Sequence, residues 1–153
     1  MPRTDVAERQ VHAAPERVFA AMADPEELVD WLPPAGMDGR FEHVDLRTGG
    51  SYRLVLTYRD ASGSPGKATA DSDVVDARIV EVVPGRRIVQ AVDFVSEDPA
   101  FDGTMVMTWS VGPSGDGTLV RIVAEGVPDG ITADDHAEGM SSSLEQLAMH
   151  VEW

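Results

Sequence analysis

Polar and apolar positions change rhythm twice along the chain. Val6 to Ala13 alternate loosely, as in a strand. Ala14-Pro15-Glu16-Arg17 then puts a proline at a first helical position with an acid beside it, and Val18, Phe19 and Met22 fall on one helical face. A second start signal follows at Asp24-Pro25: Asp24 can cap, and Glu27 stands three residues on, as in a capping box. Leu28, Trp31 and Leu32 share a face, and Pro33-Pro34 stops the helix. Two short helices are expected after the first strand.

From Gly39 to about Glu125 the period falls to two, broken by Gly, Pro and Asp, the signature of an antiparallel meander. The expected strands are Phe41 to Arg47, Ser51 to Arg59, Val74 to Val83, Ile88 to Val95, Thr104 to Val111 and Thr118 to Glu125. Asp60 to Gly66 has the length and composition of a hairpin loop. In the second strand Tyr52, Leu54, Leu56 and Tyr58 share a face opposite Arg53, Thr57 and Arg59. Met105, Met107, Trp109 and Val111 do the same, as do Val120, Ile122 and Ala124. One face of the sheet is therefore built to be covered.

The cover comes last. Thr132 is a plausible cap with Asp135 three residues on, and Ala137, Met140, Leu144, Leu147, Ala148 and Val151 recur at steps of three and four. The expected fold class is α+β: a curved antiparallel sheet of six to seven strands around a long C-terminal helix, in one domain over residues 1–153.

Composition narrows the function classes. The 153 residues carry 12 basic against 27 acidic side chains, a net charge of -15, which repels phosphate backbones and anionic lipid headgroups, so neither nucleic acid nor membrane is an expected partner. Eleven of the basic residues are Arg and only Lys67 is Lys, a skew that bears on coding bias or salt adaptation rather than activity. Without cysteine there is no disulfide framework, thiolate zinc site or cysteine nucleophile. No window approaches a membrane span, and the N-terminal residues Met1 to Asp5 open no secretory stretch, so a cytoplasmic protein is expected. Asp71-Ser72-Asp73 and Asp134-Asp135 lack the regularly spaced oxygens of a calcium loop and read as solvated positions. His12, His43, His136 and His150 form no ligand-spaced pair, so no metal and no cofactor are expected. Ser141-Ser142-Ser143 lacks the Gly-x-Ser-x-Gly elbow and reads as polar helix surface with one serine facing inward.

Several strings in order carry a family resemblance: Ala14 to Phe19, Asp24 to Trp31, Gly49-Gly50-Ser51-Tyr52-Arg53, Val82 to Val89, Gly117 to Val120, and His136 to Met140 followed by Leu144-Glu145-Gln146-Leu147. The chain resembles the START-like or SRPBCC superfamily, with its helix-grip fold, and within it the domains named after the activator of the heat-shock chaperone ATPase. Leu32-Pro33-Pro34 stands where that pattern has an aromatic and Gly-Pro, and Met140 where a Trp often follows the glycine. Members of the superfamily bind lipids, hormones or polyketides, and some cyclise or dehydrate polyketides, so the resemblance implies a fold but no single ligand.

A sheet gripping a helix leaves space for an apolar ligand. By phase, its expected borders are Trp31 from the second helix, Phe41, Tyr52, Leu54 and Leu56 from the first long strands, and Phe94, Met105, Met107 and Trp109 from the later ones. Met140, Leu144 and Leu147 border it from the closing helix. The same residues would serve equally as ordinary core. Met105, Met107 and Met140 would converge, and flexible thioethers suit an adaptable site. Gln90 shares a face with Ile88, Val92 and Phe94, so with Tyr52 it would orient a ligand's polar end; Asp93 and Glu81 are the alternatives should a bulge slip the phase. Binding of a small apolar molecule, without covalent chemistry, is the leading expectation. A polyketide cyclase-like enzyme needs a polar cluster in the cavity, and a chaperone-docking module sits poorly with so acidic a chain. Trp31 and Trp153 are the aromatics that would mark a homodimer interface or else cap the core.

Overall fold

The computed structural model describes residues 3–33, 36–58, 72–94 and 96–152. The loop at Asp60 to Gly66, together with Met1, Pro2, Pro34, Arg59, Lys67, Asp71, Val95 and Trp153, lies outside the described residues.

The chain runs β1 (Arg3–Val11), α1 (Pro15–Ala23), α2 (Pro25–Trp31), β2 (Met37–Val44), β3 (Ser51–Tyr58) and β4 (Ser72–Val83). It continues through β5 (Arg87–Phe94), β6 (Met105–Ser114) and β7 (Gly117–Val127) to α3 (Ala133–Val151). The strands pair antiparallel in the order β1-β7-β6-β5-β4-β3-β2. This is the α+β helix-grip architecture that the periodicity and the resemblance predict. Register shifts at Phe41/His43 and at Arg3/Asp5 lie in the two outer ladders and one at Ile79/Glu81 in the β4–β5 ladder, each a place where an extra residue bends and twists a strand. In the tight turns, Gly85 and Gly115 take positive φ of 75° and 56°.

The concave face packs against α3, α1 and α2. Val11, Val18, Trp31, Val120, Ile122, Leu144 and Leu147 are fully enclosed, each side chain contributing roughly 1.5 to 3 kcal/mol by leaving water. Trp31 stacks edge-on against Trp109 at 5.5 Å and donates its indole N–H to the Ala21 carbonyl at 3.0 Å. Buried in the core, Trp31 offers no exposed ring for an interface.

The helix ends show how tertiary contacts override local signals. Asp24 accepts from the Glu26 backbone N–H at 2.9 Å, and Glu27 leaves the expected capping box to meet Arg17 at 2.7 Å and His150 at 2.9 Å. Thr132 caps α3 as expected, accepting from the Asp135 N–H at 3.1 Å. The carbonyls ending α2 are satisfied by α3: the Ser143 hydroxyl donates to Leu32 O at 2.8 Å and the Gln146 amide to Trp31 O at 2.9 Å and to Pro33 O. Ala137, expected on the buried stripe, is exposed, because the stripe runs through His136, Met140, Ser143 and Leu147 instead. Strand β2 begins at Met37 rather than Phe41, and Asp45 to Gly50 forms a turn closed by Asp45 N–H to Ser51 O and Gly50 N–H to Arg47 O, both 2.8 Å.

Candidate functional site

The first turns of α3 stand off the sheet and leave a cavity of about 550 Å³. The period-two face of β3 forms one wall with Tyr52, Leu54, Leu56 and Tyr58, and β4 adds Asp73 and Val75. Gln90, Val92 and Phe94 of β5 and Met105, Met107 and Trp109 of β6 continue it. The roof is Asp135, His136, Glu138, Gly139, Met140, Ser142 and Ser143, with Leu32, Met37 and Ile131 at the ends. Asp135 and Glu138 are exposed, so the cavity opens beside the N-terminal turns of α3. A recess of about 20 Å³ adjoins it behind Tyr52 and Gln90, bordered by Trp31, Met22, Leu28 and Ile88.

Of the positions expected to border this space, Tyr52, Leu54, Leu56, Gln90, Phe94, Met105, Met107, Trp109 and Met140 lie in the wall of the main cavity. Trp31 borders only the recess. Phe41 does not line either space: it stacks edge-on against Tyr52 at 5.3 Å and supports that ring from the neighbouring strand. Leu144 and Leu147 are core, because α3 descends onto the sheet over its second half and leaves no gap there. The bulge at Ile79/Glu81 leaves β5 in phase, so Asp93 points outward to accept from the Thr104 hydroxyl at 2.6 Å, and Glu81 pairs with Arg87 at 2.8 Å.

Tyr52 donates its hydroxyl to Gln90 Oε1 at 3.2 Å. Burial pushes the Tyr52 phenol up to about 12, so it stays a neutral donor through the physiological range. Gln90 is 8% exposed, and no described group accepts from its amide N–H₂, which is left for the cavity. Tyr58 is likewise raised, by burial and by the nearby charge of Asp73.

Two polar wall residues depart from the sequence expectations: Asp73, read there as a solvated position, is buried, and His136 was not expected to border the cavity. Asp73 is 3% exposed and sits opposite Leu56 in the β3–β4 ladder. Extending the alternation Ile79, Ala77, Val75 back by one step reaches it. His136 precedes Ala137 by one residue and takes the inward phase. Its Nδ1 lies 2.7 Å from Asp5 Oδ2, and Asp5 in turn receives Arg3 at 2.8 and 3.0 Å. The Arg3 hydrogen bonds, and after them the His136 contact, hold the Asp5 carboxyl below its usual range against the opposing effect of burial. Nothing in one sequence announces a pairing between residues 5 and 136. Among the described residues no three His, Asp or Glu side chains gather as a metal site, and no helix is long and apolar enough to cross a membrane.

Comparison with known proteins agrees with this architecture. The family model described as activator of Hsp90 ATPase homolog 1-like protein matches residues 12–152. Protein CV1439 from Chromobacterium violaceum is 36% identical, with 100% of this chain and 99% of that one covered and a TM-score of 0.86. Mll3558 from Rhizobium loti is 29% identical over 98% and 97% of the two chains, with a TM-score of 0.76. DynU16, a protein of the dynemicin biosynthetic locus, is 19% identical over 97% of this chain and 47% of that one; its TM-score of 0.70 shows a shared fold alone. Among functionally curated proteins, none matches. With nearly its whole length matched, the chain belongs to the family of activator of Hsp90 ATPase homolog 1-like proteins, within the START-like superfamily.

Proposed function

We propose that the protein binds a small, largely apolar molecule between the sheet and the first half of α3. One observation carries the reading: a space of about 550 Å³ walled by Leu54, Leu56, Val92, Met105, Met107 and Met140, within the size range of small-molecule sites. Filling it removes apolar wall from water at roughly 25 cal/mol per Å². Three adjacent methionines let the wall adjust to different shapes. Tyr52 and Gln90 supply the polar end, with the Gln90 amide N–H₂ oriented to meet a ligand acceptor.

The test is titration with a neutral environment-sensitive apolar dye, N-phenyl-1-naphthylamine, on the wild type and on Val92→Trp, which fills the wall. Saturable binding that the substitution weakens is the expected result. Binding that is absent, or unchanged by the plug, overturns the reading.

A second reading, a cyclase-like catalyst, is favoured by the carboxyl of Asp73 in the cavity wall, a position from which a general acid or base could act. Turnover of a polyketide-type substrate that Asp73→Asn abolishes would establish it. Absence of turnover would remove it, and turnover unaffected by that substitution would take the catalytic role away from Asp73.

A further inference from the structure

We infer that His136 offers its Nε2 as a hydrogen-bond acceptor to the cavity and that it selects ligands bearing a phenolic or enolic hydroxyl, an inference that rests on the binding reading above. The argument begins on the far side of the ring. Asp5 is clamped by both Arg3 contacts, at 2.8 and 3.0 Å, and the same guanidinium donates to the Ile131 carbonyl at 2.6 Å. An ionised carboxylate can only accept, so the 2.7 Å contact requires the proton to sit on Nδ1. A neutral imidazole with its proton there presents Nε2 as a bare lone pair.

That lone pair has no partner among the described residues. The His136 side chain is 11% exposed and lies in the cavity wall, so a ligand that displaces water from the cavity takes away the water available to Nε2. A ligand without a donor leaves the nitrogen unsatisfied, and one with an O–H group restores the bond.

The surrounding charge decides which donor fits. Asp5 and Arg3 from β1, Asp135 and Glu138 from α3 itself, and Asp73 from β4, together with the phenol of Tyr58 from β3, are the titratable groups around the ring and the mouth. Asp129 adds a further negative charge beside Arg3. Carboxylates outnumber the single guanidinium, so a carboxylate ligand is repelled, while a neutral acidic hydroxyl carries no such penalty. Tyr52, Tyr58, Phe94 and Trp109 in the wall favour an aromatic body for it.

The experiment compares 2-naphthol, 2-methoxynaphthalene and naphthalene at pH 8, read as the ratio of 2-naphthol affinity to that of the two probes that cannot donate. H136N keeps an N–H near the Nδ1 position for Asp5 but removes the lone pair at the Nε2 position, which the shorter amide does not reach, so a role confined to tethering α3 would survive it. The ratio should fall by about three- to tenfold, the worth of one neutral hydrogen bond. D5N is the second variant, for the case that H136N does not fold: its amide can donate to Nδ1 and move the ring proton to Nε2, shifting the preference toward 2-methoxynaphthalene. A wild-type ratio that both variants retain overturns the inference. If the wild type binds all three probes without distinguishing them, the inference falls and the cavity reading stands. If it binds none, both fall.

Discussion

Gly139 separates helix stability from cavity volume at one position. It lies within α3, where glycine costs about 0.8 to 1 kcal/mol relative to alanine through backbone freedom lost on folding. A Cβ built there meets no heavy atom within 4 Å, so no clash offsets the gain. Gly139→Ala should therefore stabilise by close to the full propensity difference, raising Tm by about 2 to 4 °C for a chain of this size. Because Gly139 is also part of the roof, Gly139→Phe places a ring into the open space and should weaken dye binding while the far-ultraviolet spectrum stays native. Scanning calorimetry reads the first effect and dye titration the second. A lower Tm for the alanine variant would mean that the roof is closed over Gly139. Unchanged dye affinity in the folded phenylalanine variant would place the bound dye elsewhere.

Two pH effects follow from the shifted groups. Asp5 and Glu27 are held below their usual 3.8 and 4.5, chiefly by Arg3 and Arg17 respectively, so the unfolded chain takes up protons first as pH falls. Their contribution to stability is full above those usual values and disappears on acidification through the lowered ones; urea melts between pH 6 and 3 should show a shallower loss in a D5N/E27Q double variant than in the wild type. Tyr52 and Tyr58 shift the other way, so their contribution is full below pH 10 and drains as pH rises past it. Tyrosinate absorbance near 295 nm should be lower in the folded protein at pH 10 than in urea, where it is about half developed; equal signals would contradict the burial of Tyr52.

Among the described residues, period-two and helical spacing were enough to find the seven strands and three α-helices, because one buried face imposes its rhythm on each; the short 3-10 turn at Pro99–Phe101, which buries no residue, left no such signal. They fail where the partner is distant. Glu27 has the spacing of a capping box, yet Arg17 and His150 compete for its carboxylate and win. Ala137 and His136 differ by one step of helical phase, and the Asp5 clamp at the far edge of the sheet decides which turns inward. Phe41 has the right alternation for the cavity, but the shift between Phe41 and His43 and the stack on Tyr52 place it beside the wall. Leu144 and Leu147 share a stripe with Met140, and only the descent of α3 onto the sheet separates filled core from open space.

The bonds from Ser143 and Gln146 to the last carbonyls of α2 join the roof of the cavity to its end wall as one rigid piece, facing a sheet that is itself a continuous hydrogen-bonded ladder. An occupant larger than the space must part these two bodies rather than deform either, so its presence is communicated outward as a displacement of α2 and α3 together. Amide exchange in those two helices would slow or quicken in concert, leaving the strands as a fixed reference.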